Sequence, residues 1–237
     1  MNKDVANKAS SAVATTTPKG FESGCSQEDL VIPRVKLLQG LSPDVTEQGS
    51  ELRPGWLINS LTKEVMPAEF IPILVGFSWI KFNPRKIDDP DYDASFAPGD
   101  IVYRTDDPND PIVIKEGSFG PKGEKPKITK FMNFLCYFPG VNMPIVLSFS
   151  KTSYYTGKEL FTFARYSGVD MFRKKYTLSS KQDENGAGDR YYVLKIRPSG
   201  NASEDEVKTA EAWHAEFSKT NYKIHDEKDA GPEVEEK

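Results

Sequence analysis

The 237-residue chain is poor in the residues that most enzyme centres need. It has two cysteines and two histidines. Cys25 and Cys136 cannot make a disulfide framework, so a reducing cytoplasm is the default compartment. His214 and His225 have no Cys, Asp or His at zinc-ligand spacing, and neither stands where a Ser-His-Asp or Cys-His site would use it. No stretch approaches the roughly 18 apolar residues of a membrane helix. The opening MNKDVANKASSAVATTTPKG has no apolar core and does not read as a secretory signal. There is no G-x-G-x-x-G after a strand. Gly120-Pro121-Lys122-Gly123-Glu124-Lys125 lacks the frame and the Lys-Ser/Thr ending of a phosphate loop. These gaps predict a protein that is not an enzyme, has no catalytic residues, cofactor or metal, and does not engage a membrane.

One acidic stretch needs weighing as a metal site. Asp89, Asp91, Asp93, Ser95 and Asp100 fall at positions 1, 3, 5, 7 and 12 of a calcium-loop frame. Ala94 stands where Gly is wanted, Asp100 replaces the bidentate Glu, and Pro90 and Pro98 interrupt the frame. A solvated acidic loop is the simpler reading, and a metal-dependent nucleic-acid enzyme using these carboxylates ranks third among the functions considered.

What the chain has is an uneven charge. The formal net charge is −4. Residues 1–20 carry +2, residues 21–120 carry −8, residues 121–200 carry +8 and residues 201–237 carry −6. The basic stretch also holds 14 of the 27 aromatic residues. Cations neutralise phosphates and flat rings stack on unpaired bases, so the pairing points to a single-stranded nucleic acid. The competing reading places the rings in a β-rich core and the cations on its surface.

Periodicity organises the chain as follows. Residues 1–27 read as a disordered arm, 28–222 as a single domain with an acidic insertion at 88–111, and 223–237 as an acidic disordered tail. Strands are predicted at 56–59, 70–82 (bulged at Gly76), 101–103, 112–114, 130–138, 143–150, 176–180 and 191–196. A helix is predicted over 152–166. A second opens at a Ser203/Glu206 capping box and runs to Phe217 with Val207, Ala210 and Trp213 on one face. Strands interrupted by one helix before the last two fit a mainly β, α+β fold, an OB-like Greek-key barrel with an elaborated N-terminal part.

In such a barrel one face gathers the candidate binding residues. Trp79, Lys81, Arg85 and Lys86 end the long early strand. Lys151, Tyr154, Tyr155 and Lys158 stand at a strand-to-helix junction, and Arg165 and Tyr166 end that helix. Arg173, Lys174, Lys175 and Tyr176 open the next strand, and Lys195 and Arg197 share one side of the last.

The run Ile32-Pro33-Arg34-Val35-Lys36-Leu37-Leu38-Gln39-Gly40-Leu41-Ser42-Pro43, with Gly55-Trp56, resembles a group of tailed-bacteriophage proteins. So do Phe149-Ser150-Lys151-Thr152, Gly157-Lys158-Glu159-Leu160, Tyr176 to Ser180 and Tyr191-Tyr192-Val193. The group is the phage single-stranded DNA-binding proteins of OB fold, and the likeness extends over about residues 30–220. It implies sequence-independent binding of single-stranded DNA in phage DNA replication, recombination or repair. Apart from the likeness, the acidic tail is expected to occupy the basic groove in the free protein and, once displaced, to recruit replication or recombination proteins. A homo-oligomer stays open, and the chain ends Glu235-Glu236-Lys237 without the terminal aromatic of the better-known phage proteins. The alternative is a phage structural or assembly protein without nucleic-acid binding.

Overall fold

The computed structural model describes residues 30–186, 188–219 and 223–224. The predicted arm at 1–27, with Cys25, lies outside them, as does the tail from His225 onward. Ten strands and four α-helices are found among the described residues.

The long strand β4 (Glu69–Phe82) organises the fold. Its run of Ile, Val, Phe and Trp suits a pleated, buried surface. Along one edge it pairs antiparallel with β6 (Thr129–Tyr137), which pairs in turn with β7 (Ile145–Phe149). Its first two residues pair with β8 (Lys174–Glu184) and its last four with β5 (Ile101–Thr105). β8 makes a long hairpin with β9 (Arg190–Asn201). The sheet runs β7-β6-β4-β8-β9, with β5 as an extra strand on β4. The predicted bulge is displaced. Gly76 pairs in register with Asn133, and the register slips between Pro72 and Leu74 instead. Pro72 has no N–H to give to a ladder, so the irregularity falls beside it.

No sheet closes on itself, so the expected closed barrel is not what the structure forms. The chain before β4 occupies the space between β7 and β9. There β2 (Val35–Leu37) pairs antiparallel with β3 (Leu57–Asn59). Just ahead of β2, the Pro33 carbonyl accepts from the Val146 N–H of β7. Just after it, the Gln39 side-chain amide both donates to the Tyr192 carbonyl of β9 and accepts from the Tyr192 N–H. Ser153 and Thr156 occupy the next position of that edge, at Leu194. The Pro33 backbone on β7 and side chains on β9 thus take the places a neighbouring strand would fill.

Two short helices were not predicted. α1 (Pro43–Thr46) is a single turn opened by Pro43. α2 (Pro111–Glu116) replaces the strand predicted at 112–114. Asp110 caps it by accepting from the Ile112 N–H, and Pro111 fills the first turn, where its missing N–H leaves no orphan. Asn83 folds the acidic insertion onto itself: its amide donates to the carbonyls of Asp93 and Phe96, and its oxygen accepts from the Asp93 N–H.

The two predicted helices are present and cover opposite faces of the sheet. α3 (Tyr154–Arg165) follows a 3-10 turn at Lys151–Ser153 and packs Leu160 into the main core with Phe134, Phe149, Tyr176 and Leu194. α4 (Glu204–Phe217) carries the predicted capping box and covers Ile71 and Ile73 with Val207 and Ala210. Lys223–Ile224, assigned by the sequence to the tail, form β10. It pairs parallel with β1 (Val31–Ile32), and Ile224 joins Ile32, Val146 and Phe217 in a buried cluster. An apolar residue at that spot gains more from burial than from the solvated state the acidic neighbours suggested.

Candidate nucleic-acid interface

The helix α3 is amphipathic, and its buried side is set by small residues. Gly157 lets the helix approach β7 closely: a Cβ there would lie 2.7 Å from the Phe149 Cβ. With Gly157, Leu160 and Ala164 turned inward, Tyr155, Thr162 and Tyr166 recur at helical spacing on the outward side. Tyr155 is 69% exposed and Tyr166 85%. A third stripe, Tyr154, Lys158 and Phe161, faces the end of β4 and the start of β6.

That stripe meets an aromatic cluster. Alternate residues of β4 put Val75, Phe77 and Trp79 on one face, and Lys130 of β6 stands opposite Trp79. The Lys130 ammonium lies 5.0 Å from the Phe77 ring centroid, 5.1 Å from Trp79 and 5.9 Å from Tyr154. The Lys158 ammonium lies 5.4 Å from the Tyr154 ring. Phe77 meets Phe161 edge-on at 6.3 Å. Ring quadrupoles attract these cations without neutralising them. Neither lysine has a carboxylate within ion-pair distance among the described residues, and both are exposed. The charge is held in place and left available to an anion.

The sixteen sequence-predicted residues fall into four groups, with Trp79 in two of them. Trp79, Tyr154 and Lys158 come together in this cluster, and Tyr155, Arg165 and Tyr166 extend it along α3. Lys151, exposed and with φ +46°, precedes the helix. A second group is committed elsewhere. Lys81 pairs with Glu116 at 2.7 Å, and Arg173 with Asp170 at 3.4 Å. Lys174 donates to Asn201. Lys175 bridges Glu69 and Glu206, whose acceptors, Glu69 foremost, raise its pKa. A third group is buried. Tyr176 is 2% exposed and packs at a tilt against Phe70 in the core, so it cannot offer a ring to a base. Trp79 is 9% exposed and forms the floor under Lys130 rather than a stacking platform. A fourth group stands apart: Arg85 and Lys86 are exposed beyond β4, and Lys195 and Arg197 lie on the outer face of the β8–β9 hairpin.

Sequence reading missed Phe77, Lys130 and Phe161. Alternation along β4 puts Phe77 on the face of Trp79, but only the strand register brings Lys130 opposite it.

The remaining chemistry is sparse. The carboxylates of Asp89, Asp93 and Asp107 accept from backbone N–H groups two residues on, while Asp91 pairs with Lys127. Among the described residues no group of three or more His, Cys, Asp or Glu could hold a metal ion. Nor is any helix among them long and apolar enough to cross a membrane. Cys136 is buried in the core, and burial pushes its thiol well above the ordinary range.

A family profile described as Pam3 phage gp34-like protein matches residues 3–223. The chain belongs to the Pam3 phage gp34-like family. Membership covers the arm, the sheet and both long helices, and it ties the chain to a protein named from a phage. No curated protein and no solved structure matches the chain.

Proposed function

We propose that this protein binds single-stranded DNA without reading its sequence, in phage DNA replication, recombination or repair, and performs no catalysis. The observation that carries the reading is the pairing on α3. Lys130 and Lys158 rest on aromatic rings with no carboxylate partner, and the rings of Tyr155 and Tyr166 stand free on the same helix. Phosphates would take the lysines and Arg165, and unpaired bases would stack on the tyrosines. In a duplex the bases already stack on one another and the rings reach none of them.

Two further points support the reading. The order β7-β6-β4-β8-β9, with α3 between β7 and β8, is compatible with the oligonucleotide-binding arrangement the reading expects, although no sheet closes. The family takes its name from a phage protein.

The test is a titration of a labelled oligothymidine and of the matching duplex at several salt concentrations. Tighter binding to the single strand is expected, with a log–log salt slope of about −2 if Lys130, Lys158 and Arg165 each neutralise one phosphate. Tyr155→Ala with Tyr166→Ala should weaken binding by about 1–3 kcal/mol per lost stack and leave the fold intact. No binding at low salt would reject the reading and turn the α3 surface into a protein contact of an assembly component.

A further inference from the structure

The stretch between β5 and β6 leads into the lysine-aromatic cluster from the side away from α3. Val113 of α2 and Ile128 are buried against Trp79, with Phe77 and Tyr103 packed beside them. Trp79 also lies under the Lys130 ammonium. One buried ring therefore joins α2 to the lysine that faces Tyr154.

The loop that follows α2 is pinned at its base and at its tip. At the base, the Glu116 carbonyl accepts from the N–H groups of Lys127 and Ile128, just ahead of β6. At the tip, the Gly120 N–H donates to the Glu124 carbonyl and the Gly123 N–H to the Gly120 carbonyl. Gly123 supplies the left-handed backbone of that turn, at φ +84°. The Glu124 carboxylate is turned back onto the Lys122 N–H. On this frame Phe119 is 71% exposed, and Ile114 on the helix before it is 67% exposed. Large apolar side chains this exposed in one short segment mark a contact surface.

The charge of that surface is positive. Residues 112–130 hold five Lys and two Glu. Glu116 is taken by Lys81, and Lys127 is paired with Asp91. Lys115, Lys122 and Lys125 are exposed and make no ion pair among the described residues. Asp110 is occupied at the start of α2, where it accepts from the Tyr103 hydroxyl and the Ile112 N–H. Exposed Asp106 and Asp107 precede that start, so the whole of α2 stands between them and the loop. An acidic protein surface would satisfy the three lysines. The exposed ring, and the continuity with Lys130 and Lys158, fit better a strand in which bases and phosphates alternate.

We propose that loop 117–127, with Lys115 of α2, is a second limb of the single-strand interface. Phe119 stacks an unpaired base, and Lys115, Lys122 and Lys125 take phosphates. A strand lying on α3 continues past Lys130 onto this loop, so the site is longer than α3 alone provides. The inference rests on the single-stranded DNA reading of α3, and it adds three cations and a ring to it.

The experiment is titration of a long oligothymidine at several salt concentrations, with the full chain and its loop variants. With six cations engaged, a log–log salt slope of about −4 is expected, against about −2 for the α3 limb alone. Lys115→Gln, Lys122→Gln and Lys125→Gln together should return it to about −2. Phe119→Leu keeps the apolar bulk and loses the flat ring, so it should weaken binding about 5- to 100-fold. Phe119→Tyr keeps the ring and should bind as the parent does. All these positions are exposed, so the melting temperature should stay near the parent's. A parent that binds with a slope of about −2, and whose affinity the loop variants leave unchanged, overturns this inference alone and leaves the α3 reading standing. An equal loss in Phe119→Tyr and Phe119→Leu overturns the stacking role. A parent that binds no single strand at low salt overturns both readings. Loss in the loop variants with none in Tyr155→Ala and Tyr166→Ala upholds the loop and removes the α3 rings from the site.

Discussion

At the scale of single residues, close approach and pairing decide which side chains are available. Gly55 and Gly157 let distant elements approach closely. Gly55 has φ +87°, and a Cβ there would fall 2.5 Å from the Tyr192 ring. Gly157 has a helical backbone but no room against Phe149. Gly157→Ala is therefore expected to destabilise by about 1–3 kcal/mol through overpacking, despite alanine's better helix propensity. A urea melt checks this, and a neutral or stabilising result would mean that α3 does not pack on β7 as described. Pairing sorts the cations in the same way. Lys81 and Lys175 looked like Lys158 and Arg165 in the sequence, because a carboxylate distant in the chain leaves no local mark. Glu116, for example, is 35 residues from Lys81.

At the scale of elements, local signals were legible where they were strong. The capping box at Ser203 forms as its spacing requires. The Ser203 hydroxyl accepts from the Glu206 N–H, and the Glu206 carboxylate accepts from the Ser203 N–H. Ser203→Ala should cost about 1 kcal/mol, read as a lower melting temperature with the sheet intact. An unchanged melt would mean that α4 is held by its buried face alone. Where signals conflicted, the sequence misled. Ile112-Val113-Ile114 has the composition of a strand, yet Asp110 and Pro111 start a helix there. The β4 bulge was assigned to its glycine when the proline four residues earlier displaced the ladder.

At the scale of the whole molecule, the N-terminal segment holds the open sheet together. Asp44 of α1 pairs with Lys36 of β2 at 2.7 Å and with Lys63 after β3 at 3.0 Å. Burial alone would raise the Asp44 carboxyl, but the hydrogen bonds and charges of Lys36 and Lys63 outweigh it and hold the pKa below the ordinary 3.8. A carboxyl lowered on folding stabilises the native state above its unfolded pKa, and the contribution disappears as pH falls through the folded value. The parent should therefore lose stability below about pH 3.8, and Asp44→Asn should lose less over the same interval. Thermal melts at neutral pH and about pH 3 measure both. Equal acid sensitivity in the variant would place the effect on other carboxylates.

The sequence by itself determined the periodic elements, both long helices and the concentration of rings and cations in one third of the chain. Each of these is written in neighbours a few residues apart. Only the tertiary structure decided that β7 and β9 stay unpaired, because Pro33 and Gln39 fill the edges they would have shared. Likewise only strand register brought Lys130 over Phe77 and Trp79, 53 and 51 residues earlier in the chain, and turned Tyr176 inward. Composition counts the charges and rings; pairing across long chain separations selects which of them face solvent unneutralised.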